Sequence, residues 1–218
     1  YDAGAAVTTG VQNTLVGGLA GDALTDADYN VAIGVTALGG DTLGSKSTAI
    51  GYSTLVNQNF TTATDTFNTA VGYEAGAAVT TGVQNTIIGG LAGDALNTAQ
   101  NNVAIGYQAL TTDTKGDNSV AIGVLALSAQ NFTTSTNSYN VAVGRSAGQS
   151  VTTGTNNTLI GGLAGDALTD ADNNTVVGRA ALSADTLGSR ATAIGFQALA
   201  QQNFTTATDN YNTAVGFN

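Results

Sequence analysis

The stretch Asn118-Ser119-Val120-Ala121-Ile122-Gly123 is restated along the whole chain. It returns as Asn-Val-Ala-Ile-Gly at Asn30–Gly34, Asn-Thr-Ala-Val-Gly at Asn68–Gly72 and Asn-Thr-Leu-Ile-Gly at Asn157–Gly161. In looser form it ends on Gly17, Gly34, Gly51, Gly72, Gly89, Gly106, Gly123, Gly144, Gly161, Gly178, Gly195 and Gly216. The steps between these glycines are 17 or 21 residues, and the longer step falls once in every four. Two levels of order follow: a short unit and a super-repeat of 72 residues, in three copies at Tyr1–Gly72, Tyr73–Gly144 and Arg145–Gly216. Phe217 and Asn218 begin a fourth, so a segment of a longer repetitive protein is expected. Fixed-period self-similarity dictates architecture ahead of any local feature.

Each unit holds a short apolar run, the glycine, then x-x-Ala and a polar stretch of Thr, Asn, Asp and Gly. The run is too short for a helix and right for a strand. At about 3.3 Å per residue, a 17-residue unit has room for two short strands and two turns. That is one coil of a solenoid, which buries its apolar side only by stacking on its neighbours. The expected fold is therefore all-β, a parallel β-solenoid running as one continuous segment. Strands stack about 4.8 Å apart, so twelve coils make a rod on the order of 60 Å long.

Composition agrees. Gly is 29 of 218 residues, well above the usual ~7%, and sits at fixed phases, as turns with φ > 0 or close backbone approach require. There is no Pro, whose missing N–H would break a ladder on every coil. There is no Cys, hence no disulfide framework and no thiolate site. The net charge of −10 argues against nucleic acid and against anionic membranes. No apolar run is long enough for a transmembrane helix, and membrane insertion is not expected.

We number positions from the repeat glycine as zero. Position −1 is always Ile or Val: Val16, Ile33, Ile50, Val71, Ile88, Ile105, Ile122, Val143, Ile160, Val177, Ile194 and Val215. A β-branched residue in register on every coil is expected to form the core ladder. Position −2 is usually Ala, but Leu15, Ile87, Leu159 and Val176 are larger. Side chains alternate faces along a strand, so the strand is apolar on both. One face lines the coil; the other needs a cover, and the four larger −2 residues are expected to form an inter-chain seam. The economical cover is sister chains in a closed ring, with three as the preferred number. Position +3 is Ala in all units but that of Thr54, as suits a thin coil. The Asn that precedes many runs (Asn13, Asn30, Asn68, Asn85, Asn102, Asn118, Asn140, Asn157, Asn174, Asn212) is read as a turn residue able to adopt αL and to bond coil to coil.

These residues carry a resemblance. Asn-Ser-Val-Ala-Ile-Gly with an Ala shortly after resembles the head repeat of YadA-like trimeric autotransporter adhesins. Runs such as Asn102–Leu110 are similar to repeats in tail-fibre proteins of phages and marine bacteria. The resemblance implies a left-handed β-roll with two strands per coil, trimerised through the inner strands. This chain departs from the adhesin heads in its longer coil and four-coil super-repeat, which favours a fibre.

The four-residue expansions, Asn57–Asn68, Ala129–Asn140 and Gln201–Asn212, carry Phe60, Phe132 and Phe204 and a second aromatic, Phe67, Tyr139 and Tyr211. These six are candidate receptor contacts on outward loops; otherwise the aromatics fold back and cap the coil. The same loops hold Asn-Phe-Thr at Asn59, Asn131 and Asn203, the glycosylation acceptor pattern. Asp26-Ala-Asp28 and Asp170-Ala-Asp172 have the alternating spacing that starts a Ca²⁺ loop, but lack its Gly and terminal Glu, so an acidic turn is the plainer reading. Thr62–Thr64 and Thr206–Thr208 suggest ice-binding arrays, yet recur on only one coil in four. With no His or Cys, catalysis, metal and cofactor are not expected. The expected function is a structural fibre segment, extracellular, in a tail fibre or on a bacterial surface, that presents a binding tip. Its expected partners are copies of itself. The alternative is adhesion by the segment itself, through the repeated loops, to a cell-surface glycan or receptor. A β-helix polysaccharide hydrolase is a third and more distant reading.

Overall fold

Three residues closed by glycine give one strand per repeat, and all twelve such strands stack in a single parallel sheet. They run from Thr14–Val16 and Val31–Ile33 through Val120–Ile122 to Thr192–Ile194 and Thr213–Val215. The computed structural model describes residues 2–218; Tyr1, from which the first super-repeat is counted, lies outside them. Among the described residues every secondary-structure element is a strand, and every pairing is parallel. Register is locked: Val120 lies beside Val103 and Val141, and Ile122 beside Ile105 and Val143. A 21-residue step keeps the same register as a 17-residue step, so the extra residues are absorbed outside this strand.

The expectation of two strands per coil is met in only half of the coils. A second strand of two residues occurs at Gly44–Ser45, Thr64–Asp65, Gly116–Asp117, Thr136–Asn137, Gly188–Ser189 and Thr208–Asp209. These pair within super-repeats, as Gly44–Ser45 does with Thr64–Asp65, in the two coils beside each expansion. Elsewhere the second side of the coil is turns, held to the next coil by single backbone bonds such as Gly93 N to Ala109 O at 2.9 Å.

The glycine turn shows why its residue is fixed. Gly123 has φ 134°, and a Cβ there would sit 2.5 Å from Gly144 O on the next coil. Any side chain would push the coils apart. The turn after it places two residues at positive φ, Leu125 at 61° and Leu127 at 48°. Leucine there is strained, but Leu127 is driven inward and is fully buried.

The two faces of the strand are the reverse of the expectation. Position −2 points into the coil: Ile87, Leu159 and Val176 are wholly buried and Leu15 packs against the same core. They are interior residues, and no inter-chain seam runs through them. Position −1 points outward. Val16, Ile33, Ile88, Ile160, Ile194 and Val215 are exposed, while Ile50, Val71, Ile105, Ile122, Val143 and Val177 are half-buried by their neighbours in the ladder. None of the twelve is core.

The physical reason lies across the coil. Where position −2 is Leu15, Ile87 or Leu159, position +4 is glycine: Gly21, Gly93 or Gly165. A Cβ on Gly165 would lie 2.8 Å from Leu159 Cδ2 and 2.9 Å from Leu168 Cδ1. Where position −2 is Ala121, Leu127 at +4 fills the same space. For Leu15, Ile87 and Leu159 the variation that looked like a seam is volume compensation in a close-packed interior, shared with the coil before: Gly148, beside Ala142, leaves room for Leu159, and only Val176 stands with a leucine, Leu182, at +4.

The third interior column, at +7, alternates chemistry. Val79 and Leu96 are followed by Asp113 and Gln130, and the sequence repeats this every four coils. Gln130 Nε2 donates to Asp113 Oδ2 at 2.6 Å and to Ser119 Oγ at 2.8 Å, and its Oε1 accepts from Asn140 Nδ2 at 2.9 Å. Asp113 Oδ1 accepts from the amides of Gly116 and Phe132, each at 3.0 Å. Asp41 with Gln58 and Asp185 with Gln202 repeat the arrangement. The buried carboxylates are thus satisfied by hydrogen bonds without a cation.

Seven of the asparagines, Asn30, Asn68, Asn85, Asn102, Asn140, Asn157 and Asn174, are interior too, whereas Asn13 is half-buried and Asn212 exposed in the end coils. Asn68 Oδ1 accepts from Asn85 N at 2.9 Å and its Nδ2 donates to Gly82 O at 2.7 Å. The left-handed residue is the one before the buried asparagine, such as Phe67 at φ 52° and Tyr139 at 49°. Asn118 holds this left-handed position itself, at φ 61°, because Ser119 takes the inward place in its coil.

Candidate interaction face

Strand alternation carries position −3 to the same side as −1. The outer face of the sheet is therefore two columns, Thr or Val at −3 and Ile or Val at −1, repeated on twelve coils. No polar group stronger than a threonine hydroxyl interrupts either column. Two further columns border them along the chain. Position −5 holds Tyr29, Lys46, Phe67, Tyr139, Arg190 and Tyr211 among amides, and position +1 holds Val, Tyr, Phe, Arg or Gly.

The border columns are stacked coil on coil. The rings of Tyr52 and Tyr73 lie 5.4 Å apart and nearly parallel, as do those of Phe196 and Phe217 at 5.2 Å. Lys46 Nζ sits 5.3 Å from the centre of the Phe67 ring and pairs with Asp65 at 2.5 Å. Arg190 lies 5.7 Å from the Tyr211 ring and pairs with Asp209 at 3.0 Å. The Asp209 hydrogen bond and charge raise the pKa of the Arg190 guanidinium. The neighbouring Glu74 likewise raises that of the exposed Tyr73 hydroxyl.

The six loop aromatics divide. Phe60 and Phe132 are 7% and 6% exposed, and Phe204 is half-buried. They fold back over the Asp–Gln rung, to which their own amides are bonded, and Phe60 and Phe132 leave almost no contact surface. Phe67, Tyr139 and Tyr211 are 52–67% exposed, in the −5 column that borders the sheet face.

The acidic turns tie coils together. Asp28 Oδ1 accepts from Val11 N at 2.7 Å, and Asp172 Oδ1 accepts from Thr155 N at 2.6 Å. Asp26 and Asp170 accept from Thr9 and Thr153 hydroxyls at 2.5 and 2.6 Å. Among the described residues no three His, Cys, Asp or Glu cluster as a metal site would need. Asn59, Asn131 and Asn203 each accept a threonine hydroxyl from the preceding coil, at 3.2–3.4 Å. Thr64 and Thr208 bond within their own loops.

Two acids stand apart. Burial raises the pKa of Asp94, opposed by a hydrogen bond from Thr111, and also raises that of Asp166. Asp166 Oδ1 is a buried oxygen with no partner. No helix among the described residues is long and apolar enough to cross a membrane.

No protein-family model, curated protein or solved structure matches the chain. The sheet face is what the sequence reading misplaced. The signal that could have located it was the glycine at +4 opposite each Leu or Ile at −2.

Proposed function

We propose that the chain is a rigid segment of a homotrimeric fibre, self-associated through the −3/−1 face of its sheet. The observation that carries this is the unbroken Thr/Val/Ile surface across twelve strands. Eleven steps of about 4.8 Å and a width of six residues at no more than about 3.3 Å each give a face of at most roughly 1,000 Å². A stable interface takes about 800 Å² from each partner; the Thr/Val/Ile strip is the middle of this face, and its borders carry Lys46, Arg145, Arg179, Arg190 and amides. A second copy of the chain is the economical occupant, since it brings a face of the same length and the same repeat spacing.

Three copies fit the width. Facing sheets lie about 10 Å apart, so each backbone stands about 5 Å from the common axis, and three such planes enclose a triangle with sides of about 17 Å. The span from −5 to +1, at most about 20 Å with three of its residues in the strand, is of the size required. The solenoid then acts as a spacer that holds a binding element away from a virion or cell, outside the cell, as the resemblance to adhesin-head and tail-fibre repeats implies. Light scattering on the purified chain should give three times 21.5 kDa. Ile105→Asp with Ile122→Asp should reduce it to the single-chain mass with strand content kept. A single-chain mass for the unaltered protein would overturn the proposal.

A further inference from the structure

We propose that Tyr52 and Tyr73 form an oxidative cross-linking site, at which a peroxide-driven one-electron oxidant joins two successive coils of the same chain through a carbon–carbon bond between the phenol rings. Both residues hold position +1, Tyr52 on an expanded coil and Tyr73 on the coil that follows it. Their rings lie 5.4 Å apart and 9° from parallel. Tyr52 is 50% exposed and Tyr73 55%, so both are open to an oxidant in solution.

The pair has no counterpart among the described tyrosines. In the +1 column Tyr107 stands between Gly90 and Val124. In the −5 column Tyr29 stands between Gln12 and Lys46, Tyr139 between Asn118 and Asn156, and Tyr211 follows Arg190. Where the same step recurs in the later super-repeats, the +1 residues are Val124 with Arg145 and Phe196 with Phe217. The phenylalanine pair stacks as closely, at 5.2 Å and 14°. Packing along the column is thus satisfied by rings without hydroxyls. What the tyrosine pair adds is two phenols side by side, each able to give up an electron and a proton.

The chemistry balances as follows. Each phenol loses one electron and its hydroxyl proton. The two radicals couple at carbons ortho to oxygen, and the hydrogens on those carbons move to the oxygens, which restores both hydroxyls. Two electrons and two protons leave in all. They reduce one hydrogen peroxide, acting through a peroxidase, to two waters. Equivalent positions on successive coils, with rings this nearly parallel, set like edges of the two phenols beside each other. Half-exposed rings have room to turn together until the bond closes. The bond would close a loop over residues 52–73, which contains the expansion at residues 57–68. A chain with no cysteine has no disulfide to tie one coil to the next, and a covalent loop of this kind restricts the unfolded chain as a disulfide does.

The site lies within one chain and does not rest on the self-association proposed above. Dilute purified protein, treated with a peroxidase and limiting hydrogen peroxide, should gain dityrosine fluorescence while the product runs as a single chain of 21.5 kDa on a denaturing gel. The tryptic peptide of residues 47–115 should be lighter by two hydrogens. Hydrogen exchange in residues 57–68 should slow after treatment. Tyr52→Phe and Tyr73→Phe retain the stacked rings and should each abolish the fluorescence, whereas Tyr107→Phe should leave it unchanged. Fluorescence that survives Tyr52→Phe, or that resides mainly in multi-chain bands, would overturn the pairing within one chain. A folded chain that forms no dityrosine under these conditions would overturn the site and leave the fibre reading as it stands.

Discussion

Leu159 and Ile160 are adjacent in one strand, and their substitution should have opposite signatures. Leu159 is wholly buried. Its two methyls occupy space left by glycines: a Cβ on Gly148 would lie 2.6 Å from Cδ1, and one on Gly165 2.8 Å from Cδ2. Leu159→Ala therefore empties a site walled partly by glycine backbone and partly by the side chains of Leu127, Val151 and Leu168. Buried Leu→Ala changes cost about 2.7–5.0 kcal/mol, rising with the cavity that remains, and a loss within that range is expected. Because each coil meets only its neighbours, the loss should be confined to adjoining coils. Hydrogen exchange read by mass spectrometry should show faster exchange in peptides drawn from residues 140–180, and little change near Ile33 or Val215. The loss should be independent of protein concentration, since Leu159 lies inside its own coil. Ile160 is 39% exposed. Ile160→Asp should leave the coil's own exchange nearly unchanged at low concentration and weaken association as concentration rises. Equal effects, or a concentration-dependent loss for Leu159→Ala, would refute the assignment of faces.

Gln130→Ala should destabilise the chain by about 2–4 kcal/mol in chemical denaturation, because it strips partners from buried Asp113, Ser119 and Asn140 at once. Gln202→Ala should cost less, since Ala191 stands where Ser119 does and the site is half-buried. Asp166→Asn should raise the melting temperature at neutral pH. The folded pKa of Asp166 is raised, so the wild type loses stability as pH climbs through that value. The advantage of the variant should vanish in acid, below the unfolded carboxylate's range, where Asp166 is protonated in both states. A melting curve series against pH reads both signs.

Much of this protein was legible in its sequence. The Ile/Val-to-Gly beat fixed the coil, its parallel stacking and its register, because a glycine is required wherever successive turns leave no room for a Cβ, as at Gly123. The small residue at +3 marked a thin interior, and Ala37, Ala109 and Ala181 are fully buried there. What the sequence could not decide was which side of a three-residue strand faces in. Alternation with a period of two makes both faces apolar here and orders neither. The answer depends on what stands across the coil, and those residues, Gly165 opposite Leu159 and Leu127 opposite Ala121, are brought together only by the closed turn. The same closure decided that Phe132 covers a buried Asp–Gln rung while Tyr139, seven residues on, remains at the surface.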